Sequence, residues 1–74
     1  MKPLNNIQKI RWERNLSLRE LSKLSGVSHN EINLIENGMR IPYQITMLKI
    51  SKALNLSVNE VFHLDWKNIN LDNL

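Results

Sequence analysis

Ser17-Leu18-Arg19-Glu20-Leu21-Ser22-Lys23-Leu24-Ser25-Gly26-Val27-Ser28-His29-Asn30-Glu31-Ile32 reads as two short helices joined by one tight turn. Ser17 with Glu20 and Ser28 with Glu31 each form a capping box. In that motif a serine hydroxyl and a glutamate three residues later satisfy orphan amides reciprocally. Ser57 with Glu60 repeats it later in the chain. The joint is Ser25-Gly26-Val27, followed at once by the Ser28 cap. Gly26 supplies the positive φ that so short a turn needs. Ser22, four residues earlier, is small enough for the two helices to approach closely. Val27 and Ile32 fill the elbow, and Leu21 anchors the pair. A turn of this length containing glycine between two helices is the helix-turn-helix signature.

Working outward, apolar residues at helical spacing mark five helices. The first spans about residues 4–15, with Leu4, Ile7 and Ile10 inward. The second spans 18–25, with Leu18, Leu21, Leu24 and Ser22 inward. The third follows Ser28 and runs to Asn37, with Ile32, Ile35 and Glu36 facing in. Gly38 then ends it in the left-handed conformation. The fourth spans about 43–54, with Met47, Ile50, Ser51 and Leu54 inward. The fifth, 58–63, turns Val61 and Phe62 inward. The fold class is all-α, a five-helix domain over residues 1–63 with a C-terminal tail over 64–74.

The chain has 74 residues and no cysteine. One small core is possible, with little room for an enzyme cleft. Disulfides, thiolate catalysis and cysteine-based zinc sites are excluded. No apolar run exceeds two residues, so no transmembrane helix or signal-peptide core is present. The expected location is the cytoplasm, with no membrane partner. Net charge is +3. Residues 1–54 carry +5 and residues 55–74 carry −2. A basic front and an acidic tail point to a polyanion for the front, or to ordinary solvated surface.

Several stretches resemble the lambda-repressor-like, Cro/Xre-type helix-turn-helix family. They are Ile10-Arg11 with Leu16-Ser17, then Glu20-Leu21-Ser22 with Gly26-Val27-Ser28. They continue as Ile32 with Ile35-Glu36-Asn37-Gly38, then Arg40 and Pro42, and close with Met47, Ile50, Leu54, Leu56-Ser57 and Glu60-Val61. The resemblance covers about residues 5–63. It implies a domain that binds operator DNA, usually as a symmetric dimer. It also implies that Glu36 pairs with Arg11 and braces the motif. The sequence departs from the family at Leu18, where a glutamine often clamps a phosphate. Ser22 and Ser51 stand at small-residue positions often held by alanine. Both are tolerated if each hydroxyl bonds a carbonyl one turn back.

With Ile32 and Ile35 inward, the third helix presents Ser28, His29, Asn30, Asn33, Leu34 and Asn37 outward or sideways. That face has no positive charge and is rich in short polar groups. A base-reading face in the major groove needs donors and acceptors of fixed geometry. Asparagine can bind adenine N6 and N7 together, and Leu34 can touch a thymine methyl. An A·T-leaning half-site follows. Arg19, Lys23, Arg40, Tyr43 and Gln44 flank this helix as candidate phosphate contacts. No nucleophile elbow or triad spacing supports catalysis. His29 and His63 have no ligating partner nearby, so neither a metal nor a cofactor is expected.

The tail alternates apolar and polar residues at Leu64, Trp66, Ile69 and Leu71, a strand-like period. It reads as a dimer contact, as a segment folded back near Trp12, or as a frayed terminus. Function follows as a sequence-specific double-stranded DNA-binding regulator, a homodimeric repressor on a roughly palindromic operator. The alternative is an antitoxin or accessory module whose main role is holding a partner protein.

Overall fold

The structure is a computed structural model and describes residues 5–62. Five helices follow in order: α1 (Ile7–Glu13), α2 (Leu18–Ser25), α3 (His29–Glu36), α4 (Gln44–Ala53) and α5 (Val58–Val61). The core is aliphatic. Ile7, Leu21, Ile32, Ile35, Ile50, Leu54 and Val61 are fully buried, with Val27 and Phe62 beside them. Each helix supplies at least one member, so no helix is stable without the others.

The caps explain the boundaries. At α2, the Ser17 hydroxyl accepts from the Glu20 amide at 3.0 Å, and the Ser17 amide donates to Glu20 Oε1 at 3.0 Å. At α5, Ser57 and Glu60 make the same reciprocal pair, at 3.3 and 3.0 Å. These bonds, backbone first, hold both carboxyls below their ordinary pKa. The α3 box closes only by half. Ser28 Oγ accepts from the Glu31 amide at 3.2 Å, but the Glu31 carboxylate turns to Arg40.

Three helix ends share one design, expected from the sequence only at Gly38. After α1, α3 and α4 the chain turns at Asn15, Gly38 and Asn55, with φ of +56°, +70° and +59°. The residue after each turn donates five residues back: Leu16 to Arg11, Met39 to Leu34, Leu56 to Ser51. The turn residue itself donates three back, to Trp12, Ile35 and Lys52. This is the Schellman motif, which asparagine tolerates almost as well as glycine. Gly26, at φ +76°, closes α2 within the interhelical turn.

Two expected helix bounds fall short for one reason. Asn5 and Phe62 form an isolated antiparallel bridge, and the Asn6 amide donates to the Val61 carbonyl at 2.7 Å. Extended backbone at both positions delays α1 until Ile7 and stops α5 at Val61. Asn5 is buried, which nothing in the local sequence marks. Its Nδ2 donates to the Ile35 carbonyl at 2.9 Å, and its Oδ1 accepts from the Ile7 amide at 3.2 Å. One short side chain thus starts α1 and ties it to the end of α3.

One burial expectation and one hydrogen-bond expectation need correction. Leu24 is 60% exposed. Residues three apart on a helix diverge by about 60° around its axis, so Leu18 and Leu24 flank Leu21 on opposite sides. Only the Leu18 flank is covered. The second correction concerns Ser51. Its side chain is buried, yet Oγ has no hydrogen-bond partner, so the bond one turn back that would make serine tolerable there is not made. A buried hydroxyl without a partner is destabilising. Ser51→Ala is therefore expected to raise stability by about 1–2 kcal/mol, helped by alanine's helix propensity. Urea unfolding tests this, and an unchanged or lower midpoint would refute it.

Candidate nucleic-acid interface

The outer side of α3 is built by what lies beneath it. Ile32 and Ile35 are fully buried, which fixes the rotation of the helix. Ser28, Asn30, Asn33 and Asn37 are then exposed, and His29 and Leu34 are half-buried. Thus the six predicted base-reading residues lie along one short helix and its caps.

Two of them are joined directly. Asn37 Nδ2 donates to the Asn33 carbonyl at 2.9 Å and to Asn33 Oδ1 at 3.1 Å. The second bond orients the Asn33 carboxamide. Asn33 keeps both Nδ2 donors and one lone pair on Oδ1, the pair of functions that adenine N7 and N6 require.

The position of α3 is held from behind. Arg11 Nε donates to Glu36 Oε2 at 2.6 Å, and Nη2 donates to Oε1 at 2.9 Å. The contact is a bidentate fork, and the two side chains are 8% and 2% exposed. Nη1 of the same guanidinium donates to the Leu16 carbonyl at 2.9 Å. One arginine therefore joins α1, the α1–α2 turn and the end of α3. Arg14 extends this bracing by donating to the Leu54 carbonyl at the end of α4.

Residues 7–61 match the family model for the helix-turn-helix. The chain belongs to the helix-turn-helix family, of the lambda-repressor-like, Cro/Xre type. Similar proteins include the HTH-type transcriptional regulator PuuR of Escherichia coli, 35% identical over 60 residues that make up 81% of this chain and 32% of PuuR. The uncharacterised HTH-type transcriptional regulator YgzD of Bacillus subtilis is 30% identical over 64 residues, 86% of this chain and 97% of YgzD. Among solved structures, the restriction-modification controller protein C.AhdI from Aeromonas hydrophila superposes with a TM-score of 0.71. It is 27% identical, over 74% of this chain and 83% of that one. The chain also matches an uncharacterised ATP-binding protein of Methanocaldococcus jannaschii, of whose length it spans only 19%.

In this helix-turn-helix protein the predicted phosphate contacts lie on α2, in the α3–α4 loop and at the start of α4. Arg19, Lys23, Arg40, Tyr43 and Gln44 are all exposed. Tyr43 stands at the N-cap of α4 with no side-chain cap bond, which leaves the first-turn amides available to an anion. Arg40 is already engaged: its Nη1 lies 3.0 Å from Glu31 Oε1. In the sequence, Arg40 and Glu31 stand apart, one as a candidate phosphate contact and one as a capping residue. No periodicity links a loop residue to a carboxylate on the preceding helix. Met39, Ile41, Tyr43, Ile45 and Leu48 form a run of exposed large apolar side chains along the α3–α4 loop and α4. The predicted dimer residues Leu64, Trp66, Ile69 and Leu71, and His63, lie outside the described residues. Among the described residues no helix is long and apolar enough to cross a membrane, and no three His, Asp or Glu side chains converge.

Proposed function

We propose that the protein is a sequence-specific DNA-binding transcriptional regulator that acts as a homodimer on a roughly palindromic operator and represses by occluding a promoter. The observation that carries this reading is α3. It is a rigidly mounted helix whose outer face offers Asn30, Asn33 and Asn37 amides and the His29 ring, with no lysine or arginine. Such a face suits base edges in the major groove, while cations on neighbouring elements suit phosphates. The regulator relatives support the same conclusion. The exposed apolar run after α3 supports a protein contact, either with a second copy or with a partner protein.

Fluorescence anisotropy with DNA from upstream of the gene, a scrambled duplex as control, and two salt concentrations tests the reading. Specific binding about 10³-fold or more tighter than the control, weakened by salt, is expected. Equal, weak binding to both duplexes would count against an operator at that site. Selection from a random DNA pool then searches for one elsewhere, and a pool that stays unenriched would sink the reading. Asn33→Ala should lower discrimination at one A·T position by about 1–3 kcal/mol without altering the salt slope. A uniform loss across sequences would instead assign Asn33 to the backbone.

A further inference from the structure

Glu31 behaves differently from the other two glutamates in Ser-x-x-Glu positions. Glu20 and Glu60 fold back on the serine amides of their own caps. Glu31 leaves its amide partner unserved and reaches Arg40 across the α3–α4 loop, at 3.0 Å. Its side chain is 24% exposed, against 52% for Arg40. The carboxylate is thus partly enclosed, and the guanidinium remains open to solvent on its other side.

The charge around this pair is unusual. Helix α3 contains no lysine or arginine, and its other acid, Glu36, is buried against Arg11. Glu31 is therefore the one carboxylate on α3 that a polyanion would meet. Arg40 is the cation that covers it.

Resting on the DNA-binding reading above, we propose that Glu31 is a specificity-determining residue. It holds Arg40 in an internal pair and withholds that cation from non-specific phosphate contacts. Binding to an arbitrary duplex depends on the number of free cations. An Arg40 neutralised by Glu31 adds little to that number. To gain a full phosphate contact it must leave the carboxylate, which then faces the DNA unpaired. At a preferred site, base contacts from α3 dominate, and the pair keeps the guanidinium in place beside the helix. Glu31 therefore weakens binding to arbitrary DNA more than binding to the preferred sequence.

The test compares the full-length protein with Glu31→Gln, Arg40→Gln and the double variant. Two duplexes are used, one enriched by the unaltered protein from a random pool and one scrambled. Glu31→Gln keeps the Ser28 cap, because Ser28 Oγ accepts from the backbone amide of residue 31. Melting curves verify that fold is retained. Glu31→Gln is expected to bind the scrambled duplex about 2–5-fold more tightly and to steepen its salt dependence by up to ~0.9 in log–log slope. The enriched duplex should change less, so the specificity ratio falls. In the Arg40→Gln background, Glu31→Gln should lose this effect. An unchanged salt slope, an equal shift on both duplexes, or an effect that survives without Arg40 would overturn the inference alone. Failure of the unaltered protein to bind any duplex would overturn the DNA-binding reading and this inference with it.

Discussion

Arg11→Ala is expected to remove about 3–5 kcal/mol of folding stability, because it strands Glu36 as an unpaired carboxylate inside the protein. The Glu36 side chain is 2% exposed, and both its oxygens accept from the same guanidinium. The substitution also takes the Nη1 donor from the Leu16 carbonyl. A domain of this length has a total stability of roughly 4–11 kcal/mol, so the loss is a large share of it. Denaturant unfolding measures it directly. A pair at the surface would behave otherwise, contributing about 1 kcal/mol or less and weakening with salt. The Arg11 contact should resist salt. Replacing both partners by apolar residues of similar volume, Arg11→Met with Glu36→Leu, should recover much of the loss, since no charge is then left buried. A cost below about 1 kcal/mol for Arg11→Ala would show that water reaches the carboxylate in solution.

How much of this was legible beforehand differs from one interaction to the next. Both glutamates that close their boxes, Glu20 and Glu60, were readable because a capping box is local: four consecutive residues contain the whole interaction. The turn at Gly26 was readable for the same reason. The Arg11–Glu36 pair spans 25 positions, and only the family resemblance pointed to it. Asn5 shows the limit. Its side chain joins α1 to the Ile35 carbonyl, 30 residues away. Nothing in the residues near Asn5 marks it among the chain's eleven asparagines. Asn15 and Asn55 were likewise present as letters, but their left-handed turns emerge only where the helices stop. Glu31 is the intermediate case. Its sequence setting matches Glu20 and Glu60, and a cation brought close by the α3–α4 loop redirects it. For the capping glutamates, the local rule held wherever no distant group competed for the same atoms.

Leu21→Ala is expected to cost about 2–5 kcal/mol, while Leu24→Ala, three residues on, should stay within about 0.5 kcal/mol. Periodicity assigns both leucines to one inward stripe. The structure separates them: Leu21 is 0% exposed and Leu24 is 60% exposed. Leu21 sits in the core with Ile32 and Ile35 of α3, Ile50 of α4 and Leu54 at the α4 C-cap, so its truncation opens a cavity at the centre of the α2–α3–α4 packing. The surroundings are fully formed aliphatic side chains on separate helices, which leaves little freedom to collapse into the gap. The consequence extends to the nucleic-acid face. The angle between α2 and α3 is set by that packing and by the short Gly26 turn, so loosening it unfixes the presentation of Asn30 and Asn33. Leu21→Ala should therefore reduce binding to a preferred DNA site more than binding to a scrambled one, at temperatures where the variant is still folded. Leu24→Ala should change neither. Urea midpoints for the two variants, measured side by side, decide the matter. Comparable losses would restore Leu24 to the core and overturn the placement of α2. A large loss at Leu21 alone would establish that α2 is covered only on its Leu18 flank, leaving Arg19, Lys23 and Leu24 on surface open to a partner.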